Sequence, residues 1–182
     1  MRIAVLTALA SVSLVACGQN AAPTNNSVAD NAANSAGAVE NSVVPAAAPA
    51  TKEEALKIMH ERHEGMEQIG KSTKAIKRQL DSSAPDVAEI QKAAATIAKL
   101  AAKSPNWFPL GTGPDVSKTG AKPEIWQTYP DFVAKDQDFG KAAQAFDATA
   151  KTGDLTQIKA SFGDLGKSCK ACHDKYRSDM HH

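Results

Sequence analysis

Cys169-Lys170-Ala171-Cys172-His173 is the stretch of the chain whose residue types and spacing suit covalent chemistry. Residues three and four apart lie on one helix face, so Cys172 and His173 both neighbour Cys169 and all three side chains can reach one flat ligand. This order matches the attachment pattern of haem c, in which two thiols form thioethers with porphyrin vinyl groups and the adjacent imidazole ligates iron. Rival chemistries fit less well. A thioredoxin-like redox pair is expected beside a βαβ pattern, which is absent, and a zinc site needs further ligands in a second cluster. A disulfide between the two neighbours is the competing reading in an oxidising compartment, and His173 argues against it.

Positioning those groups falls to the C-terminal part of the chain. After Lys52 the composition turns to Glu, Lys, Ala, Leu and Ile, with four helical stretches and no strand-like alternation, which predicts an all-α fold. The first helix is expected over 52–80, with Met59, Met66, Thr73 and Leu80 seven apart and Ile69 and Ile76 between them. The second, over 85–103, places Val87, Ile90, Ala94, Ile97 and Ala101 on one stripe. Residues 104–123 hold seven prolines and glycines and read as the one long loop.

The third helix starts near Pro130, carries Phe132, Phe139, Phe146 and Ala150 on one face, and stops at Gly153. Asp154 then caps the fourth, with Gln157 three residues on. There Leu155, Ile158, Phe162, Leu165, Cys169, Cys172 and Tyr176 recur three and four apart, which turns both cysteines towards the interior. Four such helices with mostly short connections predict an antiparallel up-and-down four-helix bundle over 52–182.

In that topology the first and fourth helices run antiparallel, so the level of His173 corresponds to the early part of the first helix. Met59 fits that level best as a group on the sixth side of the iron. His63 and Met66 lie about 6 and 10 Å deeper at about 1.5 Å per residue; His63, near the edge of the stripe, is the second candidate. His60 points off the stripe, and the terminal His181 and His182 are expected to fray.

The fifty residues before the bundle carry a different signal. Residues 1–17 read as a secretion signal, with Arg2 ahead of an apolar run too short to span a bilayer. The run ends in Leu14-Val15-Ala16-Cys17, which resembles a bacterial lipobox with Cys17 as the lipidated residue. Acyl chains there would anchor the protein to a membrane face without spanning it, and resemblance to lipoprotein sorting, where Asp after the lipidated cysteine favours the inner membrane, implies the outer membrane for Gly18. Residues 18–51 are nearly all Ala, Asn, Ser, Val and Pro and predict a disordered tether with a reach of roughly 30 Å. The expected location is therefore the periplasm, lipid-anchored. With 21 basic and 20 acidic residues the chain gives no electrostatic steering clue and no case for nucleic acid.

A family resemblance adds to this reading. Phe162-Gly163-Asp164-Leu165-Gly166, followed by Ser168 to Asp174 and by Tyr176-Arg177, resembles the C-terminal helix of class II cytochromes c, the cytochrome c′ group. The resemblance extends to Pro123-Glu124-Ile125-Trp126 and covers about residues 52–178. It implies a four-helix bundle with one covalent haem c near the C-terminus, Trp126 packed near the haem, and Arg177 beside the proximal His173. Low-spin members, the cytochrome c-556 branch, resemble this chain around Lys57-Ile58-Met59 and imply Met59 as axial ligand, where high-spin members carry a bulky apolar residue. Many high-spin members also have an Arg one turn earlier, where this chain has Ala55. The function implied is periplasmic electron transfer with redox partner proteins and no enzymatic activity, compatible with a homodimer. The alternative is a five-coordinate cytochrome c′ that binds nitric oxide or carbon monoxide.

Overall fold

A computed structural model describes residues 43–179. The secretion signal, Cys17, most of the expected tether and the two terminal histidines lie outside the described residues. Five α-helices are described: α1 Lys52–Leu80, α2 Val87–Ala101, α3 Glu124–Gln127, α4 Tyr129–Thr152 and α5 Leu155–Tyr176, with one 3-10 turn at Ser104–Asn106. The four long ones form the bundle. Among the described residues there is no strand, only an isolated bridge between Ala121 and Arg177.

Local chemistry sets the helix ends. Thr51 accepts from the Glu54 amide while the Glu54 carboxylate accepts from the Thr51 amide, each at 3.2 Å, a reciprocal cap that opens α1. Pro130 sits in the first turn of α4, and Gly153 ends that helix at φ 76°, a left-handed conformation that glycine adopts without cost. Asp154 Oδ1 accepts from the amides of Thr156 and Gln157 at 2.9 and 3.0 Å. The Gln157 side chain returns to Asp154 Oδ2 at 2.8 Å, not to the cap backbone.

Packing runs α1 on α2, α2 on α4 and α4 on α5. Neighbours are antiparallel: Gln91, early in α2, reaches the Ala150 carbonyl late in α4 at 3.1 Å, and Ser104, just past α2, meets Asp136 early in α4 at 2.6 Å. The α2 stripe from Ile90 to Ala101 and the α4 phenylalanines are buried as their spacing predicts, with Ile90, Ala94, Ile97, Ala143, Phe146 and Ala150 fully enclosed; Val87, at the start of the stripe, is half-buried. The chain thus closes three of its four seams. α1 and α5 do not pack closely, and a cavity stands between them.

Three expectations need correction. The buried face of α1 is Ala55, Met59, Arg62, Gly65, Ile69, Ser72 and Ile76, while Met66, Thr73 and Leu80 are only half-buried. The seven-residue line that faces inward is Ala55, Arg62, Ile69 and Ile76, and the line through Met66, Thr73 and Leu80, four residues on, lies at its edge. Leu155, at the exposed start of α5, also lies off the core. In addition, residues 43–51, assigned to the tether, run along the long loop, where the Leu110 amide donates to the Ala46 carbonyl at 2.9 Å.

Candidate haem site

The cavity has a volume of about 880 Å³ and is walled by α1, the end of the long loop, α4 and the last two turns of α5. That volume is at the upper end of the range for cofactor pockets. Its floor is aromatic: Phe108 meets Phe132 edge-on at 4.6 Å between centroids, and Phe132 meets Tyr176 edge-on at 5.3 Å. Such contacts fix ring positions beyond simple area burial.

Cys169, Cys172 and His173 all line this cavity, on consecutive turns of α5. Both cysteines are free and half-buried, which sets the disulfide reading aside. Burial pushes both thiols up, Cys172 to about 11, with the Asp136 carboxylate adding to the rise. A redox-active pair needs a lowered thiol pKa, so the environment is wrong for thioredoxin-like chemistry. It suits thiols consumed in a covalent bond. Among the described residues the grouping with metal-site geometry is His63, Glu64 and Glu67, which does not include the cysteines, so they are not half of a zinc site.

His173 keeps part of its ring open to the cavity and its pKa is lowered, first by desolvation and then by the Arg177 charge. Neutral imidazole is the form that binds metal. Arg177 caps the end of α5 with an extended backbone, its amide donating to the His173 carbonyl at 3.1 Å. Lys122 donates to the Tyr176 carbonyl at 3.0 Å and Ser178 to the Gly120 carbonyl at 2.9 Å, so the long loop is laced to the end of α5. Tyr176 locks that end to α4 through a 2.6 Å hydrogen bond to Asp131.

From the α1 side Met59, His60, His63 and Met66 line the same cavity. Met59 is buried, at 7% exposure, Met66 is half-buried, and both histidines are exposed. Trp126 is the sequence-predicted residue that the fold does not bring to the cavity wall. Its indole donates to the Phe108 and Pro109 carbonyls at 3.2 and 3.0 Å, which commits the ring to bracing the loop, and Ile125 takes the wall position.

Two polar wall residues were missed by sequence reasoning. Arg62, 5% exposed, donates to the Trp107 and Thr112 carbonyls and to the hydroxyls of Thr112 and Thr119 at 2.9 to 3.3 Å. Its guanidinium also lies 5.1 Å from the Phe108 ring centre. Burial lowers its pKa to about 10, so it remains a cation at neutral pH and holds the loop that roofs the cavity. Asp136, 8% exposed, bonds Ser104 on the α4 wall, and burial pushes its carboxyl above the usual range. In the sequence both sit at positions that read as solvated faces; an Arg three residues after Met59 on the same stripe was the available signal for the first.

A helical bundle with two free thiols and a neutral imidazole around one large, aromatic-floored cavity has the donor set and the space of a c-type cytochrome. The family profile described as Cytochrome C′ matches residues 57–177, and the chain belongs to that family. It is 40% identical over 110 residues to cytochrome c′ of Alcaligenes xylosoxydans xylosoxydans, covering 60% of this chain and 80% of that one. It is 36% identical over 121 residues to cytochrome c-556 of Agrobacterium fabrum, covering 64% and 79%. The crystal structure of cytochrome c′ from Thermochromatium tepidum superposes with a TM-score of 0.64 at 33% identity, covering 72% of this chain and all of that one. The cofactor of the family is one covalently attached c-type haem, and the residues of this cavity fit it.

Proposed function

We propose that this protein is a monohaem electron carrier in which Cys169 and Cys172 form the thioethers and His173 and Met59 are the axial ligands. Buried Met59, on the cavity wall formed by α1 opposite α5, is the observation that carries the reading. The haem supplies a one-electron change at iron, and a His/Met pair limits rearrangement on that change. The chain's own residues do the rest. Phe108, Phe132, Phe139 and Tyr176 exclude water, Arg62 fixes the loop, and Tyr176 and Arg177 hold the end of α5 in place.

No substrate bond is made or broken in this reading. The working site is the periplasm, with Cys17 lipidated at the outer membrane and electrons exchanged with protein partners. Dimerisation belongs to the proposal as well, since a related cytochrome c′ shows ligand-controlled dimer dissociation. A second reading, five-coordinate iron that binds nitric oxide or carbon monoxide, is favoured by one observation: a variant of the Alcaligenes xylosoxidans relative has been solved as a nitric oxide complex.

Optical spectra of the purified ferric and ferrous protein decide between them. The carrier reading expects low-spin spectra that become high-spin in Met59→Ala, while His63→Ala stays low-spin. High-spin wild-type spectra with ready carbon monoxide binding overturn it. For the anchor, Cys17→Ala is expected to release the protein from the membrane fraction, and a wild-type protein found free of membranes overturns lipidation.

A further inference from the structure

Asp136 stands where the closed α2–α4 seam opens into the cavity. Its carboxyl oxygen Oδ1 lies 2.6 Å from Ser104 Oγ, and that same Oγ lies 2.9 Å from the Ala101 carbonyl at the end of α2. A hydroxyl carries one hydrogen. With Asp136 ionised, both neighbours of Ser104 Oγ are acceptors, and one of the two contacts has no proton in it. With Asp136 protonated, the carboxyl donates to Ser104, Ser104 donates to Ala101, and all three groups are satisfied. The arrangement is a receptacle for a proton.

The surroundings add no competing charge partner among the described residues. The buried residues of α2 that pack on α4 are all apolar. Lys135, the preceding residue on α4, turns to Asp131 at 3.9 Å. Arg62 of α1 faces the same cavity but directs its hydrogen bonds to the long loop. The titratable groups that sense Asp136 are Tyr129 on its own helix and Cys172 on α5, and the proposal consumes the Cys172 thiol in a thioether. None of the hydrogen bonds to Asp136 involves Met59 or His173.

We propose that Asp136 is the proton-uptake site coupled to reduction of the haem in this cavity. This rests on the haem reading but not on the identity of the sixth ligand. One electron from a one-electron donor protein takes the iron from Fe(III) to Fe(II), and one proton from solvent adds to the Asp136 carboxylate; oxidation returns both. The physical link is electrostatic: reduction removes one positive charge from the cavity, and a buried carboxylate then holds a proton more tightly. Uptake of that proton keeps the net charge of a low-dielectric site constant.

The test is a spectroelectrochemical titration of the purified haem-loaded protein as a function of pH. The wild-type midpoint potential is expected to fall as pH rises through a window above the ordinary carboxylate range, approaching one proton per electron. Asp136→Asn, with an unchanged optical spectrum, is expected to be flat in that window. An equal slope in both proteins overturns the proposal, because the proton then goes elsewhere. Should Asp136→Asn fail to load haem, the reduced-minus-oxidised infrared difference spectrum of wild-type protein carrying isotopically labelled aspartate gives the answer. A labelled neutral-carboxyl band gained on reduction supports the assignment, and its absence overturns it. The same optical spectra keep the two readings apart: a high-spin protein with the slope intact removes only the Met59 ligand, and a low-spin protein with no Asp136-dependent slope removes only the proton site.

Discussion

Between α2 and α4 the bundle is closed by Ile90, Ala94, Ile97, Ala143, Phe146 and Ala150, all without solvent exposure; between α1 and α5 the same bundle holds a cavity of about 880 Å³. On the closed side, alanines on both helices allow close approach and large side chains fill the remainder. On the open side the gap is bordered by Arg62 with the loop it holds, and by Tyr176 with its bond to Asp131. The difference teaches that the closed seam carries the fold and the open one carries the chemistry. Substitutions on the two sides should therefore fail in different ways.

The largest effect is expected at Phe146, fully enclosed on the closed side. Phe146→Ala should cost about 3–5 kcal/mol in denaturant unfolding and leave the optical spectrum unchanged, whereas Met59→Ala should change the spectrum at a smaller cost in stability. The reverse pattern would break the comparison. Arg62→Leu comes next. It leaves the Trp107 and Thr112 carbonyls without their donor, and a hydrogen bond to a charged group contributes about 1.5–3 kcal/mol. Limited proteolysis should then cut within residues 108–119 first.

Gly65 tests how tightly the loop is seated on α1. An alanine in a helix interior normally gains about 1 kcal/mol over glycine, but a Cβ here would sit 2.3 Å from the Trp107 ring. Overpacking costs about 1–3 kcal/mol, so Gly65→Ala should lower the thermal midpoint, and a raised midpoint would show that the indole shifts freely.

At the boundary of the two regions, Asp136 predicts a pH effect. Its carboxyl is pushed up by burial in the folded protein, so the fold binds the proton more tightly than the unfolded chain does. Its stabilising contribution is complete below the unfolded value and is lost as pH rises through the raised folded value. Urea midpoints should fall across that window in wild-type protein and not in Asp136→Asn. The smallest effect is expected from deleting residues 43–50, which removes the Ala46 contact to Leu110 and about 0.5–1.5 kcal/mol.

What was legible in the sequence is what depends on near neighbours. The Cys169-to-His173 order, the α4 phenylalanines at seven-residue spacing, the Gly153 stop and the Asp154 cap each act within a turn or two, and each is found at its expected place in the helices. The bundle followed from them because amphipathic helices with short connections have few ways to bury their faces. The short α3 helix and the 3-10 turn lay hidden among the breakers of 104–128, where proline and glycine mark interruptions without saying what fills them.

The tertiary structure alone decided which polar residues go inside. Arg62 is enclosed because carbonyls and hydroxyls 45 to 57 residues away converge on it, and Asp136 because Ser104, 32 residues away, meets it. The Trp126 indole is likewise held by the Phe108 and Pro109 carbonyls, 18 and 17 residues away. A charged or aromatic side chain looks alike in sequence whether it faces water or a ring of acceptors. The partners that make its burial affordable are set by the fold, whereas the two thiols and the imidazole were set by their own spacing.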